Sequence, residues 1–297
     1  MRRICLAAFL CLVTLALEPR LAAQKQGQLF ISLVGANGPL TDTDLQAGDV
    51  GVTEDGADCK VLKVEPINWP IKLHVLVDNG RPNTSPINPL RDGLKALFEA
   101  MPEGIEMDMY VTAGTPRPVV RPTTDRQKLI DGIALIAPDS GAGMFFDALF
   151  EAANRVDKDK TPNFPVILMI GSDLGRITAS DRDYQKLQDI ILRRALTIHV
   201  TMMNGGGGTS GGGAQTEIGL NVTKMTGGRY ENITTTNRLS TLLPELGKKI
   251  AEQHTRQLHQ FRVTYERPAN PKAQARIGAS VRRDATPMLS IDGRLPQ

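Results

Sequence analysis

Three near-continuous apolar runs limit the folds that this chain can adopt. They comprise residues 73–77 (LHVLV), 166–170 (VILMI) and 196–200 (LTIHV). Runs of this length without polar alternation are typical of β-strands that are covered on both faces, as in a parallel sheet flanked by helices. Residues 105–111 instead alternate apolar and polar side chains, so we expect this fourth strand nearer an exposed edge.

Helical patterns separate these strands along the chain. Asn88 and Pro89 are suited to the start of a helix, and Ser180 with Asp183 has the pattern of a capping box. Further helices are predicted over residues 125–136, 144–156, 216–225 and 239–253. Alternating strands and helices predict an α/β fold with a doubly wound, mostly parallel sheet and helices on both faces.

Both flanks of this region have β patterns instead. Short strands are predicted at residues 29–34, 49–53, 59–64, 260–265 and 275–281. The Asp55-Gly56 pair marks a hairpin turn between two of them. We expect the N-terminal segment (24–68) and the C-terminal segment (259–297) to pair in one small β domain, with the α/β domain (69–258) inserted between them.

The N-terminus has the pattern of a secretory signal peptide over residues 1–23. Arg2 and Arg3 precede an apolar stretch at residues 4–17, and small residues before Gln24 suit cleavage. An uncleaved anchor is the alternative, although a bilayer span needs about 20 apolar residues. The mature protein is therefore expected to be periplasmic or secreted, without a membrane span.

Composition argues against a nucleic-acid partner. The formal net charge is +3, and loss of the leader removes three basic residues and one acidic residue, which leaves +1. Aromatic residues make up 4% of the chain. A marked basic excess and aromatic stacking surfaces, which nucleic-acid-binding proteins use, are both missing from the sequence. Cys59 is the single cysteine beyond the leader, so no intrachain disulfide is expected.

Two aspartates mark the expected ligand position. Asp78 ends the first apolar run and Asp173 follows the second. In open parallel sheets, ligands bind beyond the carboxyl ends of the strands. Two carboxylates that face one cleft repel each other unless a cation or a basic group lies between them.

The order of several motifs resembles a von Willebrand factor A (VWA) domain. The motifs are strand–Asp78, residues 141–148 (GAGMFFDA), Ser172-Asp173 and residues 226–230 (TGGRY). More narrowly, residues 45–56 (LQAGDVGVTEDG) are similar to a phrase that precedes this domain in exported bacterial VWFA-related proteins. The resemblance covers roughly residues 29–281. It implies a Rossmann-like α/β domain and a non-enzymatic adhesion or interaction role.

The sequence departs from the family at the metal-ion-dependent adhesion site. The family pattern is Asp-x-Ser-x-Ser after the first strand, then a Thr and a later Asp, which supply oxygen ligands to a hard cation. Asp78 and Asp173 match, but Gly80 and Pro82 stand at the serine positions and Gly143 stands at the threonine position. This predicts metal-independent or weak metal binding, with Mg²⁺ held through the two aspartates as the possible cofactor.

The leading hypothesis is an exported protein-binding module with an unknown protein partner and no catalytic residues. Its expected ligand face comprises Asp78, Asn79, Arg81, Ser85, Gly143, Ser172, Asp173 and Arg176. The alternatives are a Mg²⁺-dependent adhesion module that uses Asp78 and Asp173, an extracytoplasmic enzyme, and a structural envelope component.

Two weaker signals have simpler interpretations. The glycine-rich residues 205–213 and Glu231 mimic a dinucleotide-binding spacing, but so long a glycine run is more typical of a surface loop. His74 and His199 lie inside apolar strands and are expected to be buried and neutral.

Overall fold

The computed structural model describes residues 26–40, 44–80, 87–178, 180–204, 212–271 and 275–289. The predicted leader, Arg81, Ser85 and residues 205–211 of the glycine-rich segment lie outside these ranges. The chain divides into two compact units. One is the α/β unit, residues 68–258, and the other is the flank unit, which combines the described residues of 26–67 with those of 259–289.

The described residues contain the strands and helices expected from the sequence and four further strands. The strands are β1 (Gln26–Gly35), β2 (Gly38–Pro39), β3 (Val50–Glu54), β4 (Ala57–Cys59), β5 (Val61–Ile67), β6 (Ile71–Val77), β7 (Glu106–Val111), β8 (Arg117–Thr123), β9 (Phe164–Ser172), β10 (Thr197–Met203), β11 (Tyr230–Ile233), β12 (Gln260–Glu266), β13 (Ile277–Val281) and β14 (Thr286–Leu289). The four further strands are β2, β8, β11 and β14. The helices are α1 (Ile87–Ala100), α2 (Arg126–Ile133), α3 (Phe145–Lys158), α4 (Asp181–Arg194), α5 (Gly212–Thr226) and α6 (Leu239–Leu258). None of these helices combines the length and the apolar composition needed to cross a bilayer.

One six-stranded sheet forms the centre of the α/β unit. Its strand order is β11-β10-β9-β6-β7-β8, and every neighbouring pair is parallel except β7 and β8. Helices α3, α4 and α5 share a core with β6, β9 and β10, while α6 contacts β6 and packs on α1. The predicted α/β fold, with a mostly parallel sheet between helices, is confirmed.

Burial explains why some strands were evident in the sequence. Every residue of β9 and β10 is buried, as their apolar runs predict. The alternating strand β7 lies second from the edge, because β8 pairs with it on the outside. The sequence did not predict β8, since Pro118 and Pro122 argue against a strand. Proline is tolerated at a sheet edge, where no neighbour needs its missing N–H.

Strands from both ends of the chain build the flank unit. One antiparallel sheet has the order β14-β1-β12-β5, with β2 paired to β1, and a smaller one has the order β13-β3-β4. The β3–β4 hairpin turns at Asp55 and Gly56, both with positive φ (52° and 85°), as the Asp-Gly pair predicts. A separate apolar core fills this unit, with Ile31, Leu33 and Val263 almost fully buried.

The α/β unit is inserted at a strand pair of the flank unit. Ile67, at the end of β5, is the register partner of Gln260, at the start of β12. The chain therefore leaves the flank unit and returns to it at adjacent positions, where an ordinary hairpin would have its turn.

Candidate binding face at the strand ends

Asp78 is held inside the protein by main-chain hydrogen bonds. Its backbone N–H donates to the carbonyl oxygen of Ile170 (2.8 Å), and its Oδ1 accepts from the N–H of Gly80 (2.9 Å). Only 3% of the residue is exposed. Burial raises the pKa of the Asp78 carboxyl, and hydrogen bonds from the backbone of Gly80 and Ser172 act in the opposite direction.

The Asp78 carboxylate lies where a side chain at position 143 would begin. A Cβ placed on Gly143 would be 2.1 Å from Asp78 Oδ2, and real Cβ atoms essentially never come within 3.0 Å of another group. A Cβ on Gly80 would be 2.7 Å from the backbone nitrogen of Gly143. Glycine at both positions is therefore what allows these two loops to touch.

The loop that follows β9 contacts Gly143 as well. A Cβ on Gly175 would lie 2.3 Å from the carbonyl oxygen of Gly143, and the N–H of Arg176 donates to that oxygen (2.7 Å). We call the meeting point of Gly80, Gly143 and Gly175 the glycine junction. Its glycines come from the loops that follow β6 and β9 and from the segment that precedes α3. The sequence held no local signal for Gly175.

Two further residues of the predicted face brace the loops from inside. Asn79 is 6% exposed; its Nδ2 donates to the carbonyl oxygen of Ala137 (2.7 Å) and its Oδ1 accepts from the N–H of Ala113 (3.3 Å). Ser172 is fully buried, and its Oγ accepts from the N–H of Leu174 (3.1 Å). The polar atoms of Asn79 and Ser172 are therefore used in hydrogen bonds to the main chain of these loops.

Asp173 and Arg176 reach the surface. Asp173 is half-buried, and its N–H donates to the carbonyl oxygen of Met203 at the end of β10 (3.1 Å). Arg176 is exposed. Under Gly175 lies the amide of Gln215, 1% exposed, and neither of its polar atoms has a hydrogen-bond partner among the described residues.

The two strand histidines differ in their partners. His74 Nδ1 lies 2.8 Å from Oδ2 of Asp108, its register partner on β7, which sequence reasoning did not single out. His199 accepts a hydrogen bond from the N–H of Arg229 at Nδ1 (3.0 Å). Burial lowers the pKa of His199 to about 4, with a smaller effect from the positive charges of Arg229 and Lys249, so this ring is neutral at pH 7.

Comparison with known proteins identifies the fold. No protein-family model matches the sequence, and no curated protein matches it significantly. Among solved structures, a von Willebrand factor type A protein from Catenulispora acidiphila has a TM-score of 0.50 and covers 90% of this chain and 72% of its own, at 8% sequence identity. The chain has a VWA fold. The predicted resemblance is thereby confirmed at the level of the fold.

Other solved structures match a smaller share of this chain. Proximal thread matrix protein 1 from the mussel byssus, described with a zinc-occupied MIDAS motif, has a TM-score of 0.49 at 12% identity and covers 63% of this chain and 49% of its own. BatB from Bacteroides thetaiotaomicron has a TM-score of 0.46 at 11% identity and covers 61% of this chain and 99% of its own.

The residues present do not fit the metal site of a VWA domain. A hard cation such as Mg²⁺ requires about six oxygen ligands near 2.1 Å in an octahedron. Gly80 and Gly143 supply no hydroxyl, and the Asp78 carboxylate is packed against the backbone of Gly143. Among the described residues, no group of three or more His, Cys, Asp or Glu side chains is placed to hold a metal ion. Pro82, at the second serine position, lies outside the described ranges.

Proposed function

We propose that this chain is an exported, non-enzymatic protein-binding module that engages its partner without a metal ion. The VWA fold supports an adhesion or interaction role in general. The glycine junction is the observation that supports binding without a metal ion. There, Asp78 accepts main-chain hydrogen bonds in the place where a VWA domain would hold its cation. The leader pattern over residues 1–23 supports export.

The partner would contact the outer surface of the loops around the junction. Arg176 is exposed there and Asp173 is half-buried, so direct ion pairs and shape would replace metal coordination. Arg81 immediately follows the Asp78–Gly80 loop in the sequence and belongs to the same proposed face. A rim arginine contributes chiefly through association rate and specificity.

The test is capture of partners from an extract of the source cells, with the wild type assayed both in Mg²⁺ and in excess chelator. We expect the same partner in both conditions, and its loss in the Arg81→Glu/Arg176→Glu variant. Arg256→Glu, an exposed position on α6, is the matched control and should retain the partner.

Two outcomes contradict the proposal. Capture that disappears in chelator and returns with Mg²⁺ would favour the metal-dependent adhesion module. Retention of every partner by the Arg81→Glu/Arg176→Glu variant would place the contact elsewhere on the protein.

A further inference from the structure

A groove opens on the α/β unit beside the proposed binding face. It has a volume of about 340 Å³ and runs between α4 and α5, with one end at the loop that follows β9. We call it the α4–α5 groove. The residues that matter here are Phe146, Ile177, Asp181, Tyr184, Glu217 and Ile218.

The floor of the groove is aromatic and aliphatic. The rings of Phe146 and Tyr184 lie 6.1 Å apart, tilted by 40°. Phe146 is 1% exposed and supports Tyr184 from below, and the half-buried Tyr184 supplies the aromatic surface that a ligand can reach. Ile177 and Ile218, both half-buried, add apolar lining to the groove. Aromatic faces attract a cation placed over them, and the attraction is greater where the site is partly desolvated.

Two carboxylates line the same groove. Asp181 lies in the first turn of α4 and Glu217 in the second turn of α5, and both are exposed. Neither has an ion-pair partner within the part of the chain that the structure describes. Asp183, by contrast, is engaged with Ser180 and lies 3.7 Å from the Lys186 ammonium.

The positive charges on these two helices lie outside the groove. Arg182 and Lys224 are exposed but do not line it. The lining therefore combines an aromatic floor with net negative charge. This combination is complementary to a side chain that has an apolar stem and a cationic end.

We propose that the α4–α5 groove receives an arginine side chain of a partner protein, presented in a short extended segment next to an apolar residue. Arginine fits better than lysine, because its planar guanidinium can stack on the Tyr184 ring while its N–H groups pair with the two carboxylates. The apolar neighbour would pack against Ile177 or Ile218. This inference rests on the proposed binding function and names the chemistry of the partner.

The test uses the full chain and the peptide acetyl-Ile-Arg-Ile-amide as the probe. Its matched control is the same peptide with citrulline, which keeps the shape of arginine and removes the charge. Binding is followed by NMR through the methyl signals of Ile177 and Ile218. We expect saturable shifts with the arginine peptide and at least tenfold weaker binding of the citrulline peptide.

A pair of charge-removing variants locates the site. Asp181→Asn/Glu217→Gln is expected to weaken binding of the arginine peptide at least tenfold. Asp189→Asn/Glu252→Gln, at exposed positions away from the groove, should leave it unchanged. Because Asp181 also lies in the first turn of α4, where negative charge favours the helix, Glu217→Gln alone serves as the second variant, with at least a threefold loss expected.

The inference is overturned if the two isoleucine signals do not respond, if citrulline binds as well as arginine, or if both groove variants bind like the wild type. Its failure is distinct from failure of the proposed function. A partner that is captured by the wild type, lost with Arg81→Glu/Arg176→Glu and kept with Asp181→Asn/Glu217→Gln would leave the binding face in place and exclude the groove.

Discussion

The space beside Asp78 can hold either its carboxylate or a side chain at position 143, but not both. We therefore expect Gly143→Ala to lower the free energy of unfolding by about 1–3 kcal/mol, the usual cost of forcing extra volume into a packed site. Chemical denaturation measures this change.

The cause is tested by a double-mutant cycle. In an Asp78→Ala background, the Gly143→Ala change should cost at least 1 kcal/mol less, because contacting residues are energetically coupled. Gly213→Ala, where a Cβ meets nothing within 4 Å, is the control and should be neutral or slightly stabilising. Equal costs of Gly143→Ala in both backgrounds would show that Asp78 is not what restricts this position.

His199 makes stability depend on pH. Its folded pKa of about 4 lies below the ordinary value of 6.5, so the unfolded chain binds the proton more readily than the folded one. The stability that the neutral ring contributes is complete above pH 6.5 and is lost as pH falls from 6.5 through 4. A shift of this size corresponds to about 3 kcal/mol at the acid limit.

The measurement compares denaturation of the wild type and His199→Gln between pH 7 and pH 4.5. Glutamine retains an acceptor for the Arg229 N–H but does not titrate, so the variant should lose less stability across this range. Asp159, with a pKa lowered to about 2, contributes its own loss mainly below pH 4 and stays outside the window. Parallel curves for the two proteins would contradict the assignment to His199.

At the residue scale, the sequence predicted positions better than it predicted side-chain environments. It placed Asp78 and Asp173 at strand ends, as the structure has them. Its interpretation of Gly80 and Gly143 as positions that lack metal ligands stays a prediction. It did not show that Asn79 and Ser172 would be buried as braces, because side-chain orientation depends on loops that are far apart in the sequence. The contribution of Gly175 depends on a backbone contact with Gly143, which no local pattern encodes.

Among the elements, α4 has the most explicit local start signal. The Oγ of Ser180 accepts from the N–H of Asp183, and Asp183 Oδ2 accepts from the N–H of Ser180 (3.0 Å). Ser180→Ala should therefore cost about 1 kcal/mol of stability, measured by denaturant unfolding. Gln185→Ala, an exposed position within α4, is the control and should change stability by less than about 0.5 kcal/mol. Equal losses of stability for the two substitutions would show that the Ser180 cap does not stabilise α4.

Elements were predictable where one physical requirement dominated. The capping box of α4 and the apolar runs of β9 and β10 are local signals, and the structure confirms all three. The edge strand β8 was missed because its prolines are acceptable only beside solvent, and an edge position is a property of the assembled sheet.

For the whole molecule, the insertion point predicts that the flank unit can be separated from the α/β unit. Ile67 and Gln260 are register partners, so a two-residue Asn-Gly turn in place of residues 68–259 should join β5 to β12. We expect the shortened chain to show β-rich circular dichroism and cooperative unfolding. A Pro-Pro link, which cannot form this turn, is the control. An unfolded Asn-Gly chain would show that the flank unit depends on the insert.

The sequence predicted a β domain built from both flanks but not the order of its strands. The strand patterns before residue 69 and after residue 258 suggested that the two flanks pair. Which strand lies beside which could not be read, because β1 sits between β12 and β14, and only the assembled core fixes that order.

The strand order of the flank unit also determines when its strands can pair during synthesis. During synthesis, β1 and β3 leave the ribosome before β12, β13 and β14, their later partners, have been made. The insert is complete earlier, and closing so long a loop around a folded body costs less entropy than closing it around an unstructured chain. A ribosome that stops within the insert would release a product whose first strands keep unpaired edges, the feature that quality-control proteases and aggregation both act on.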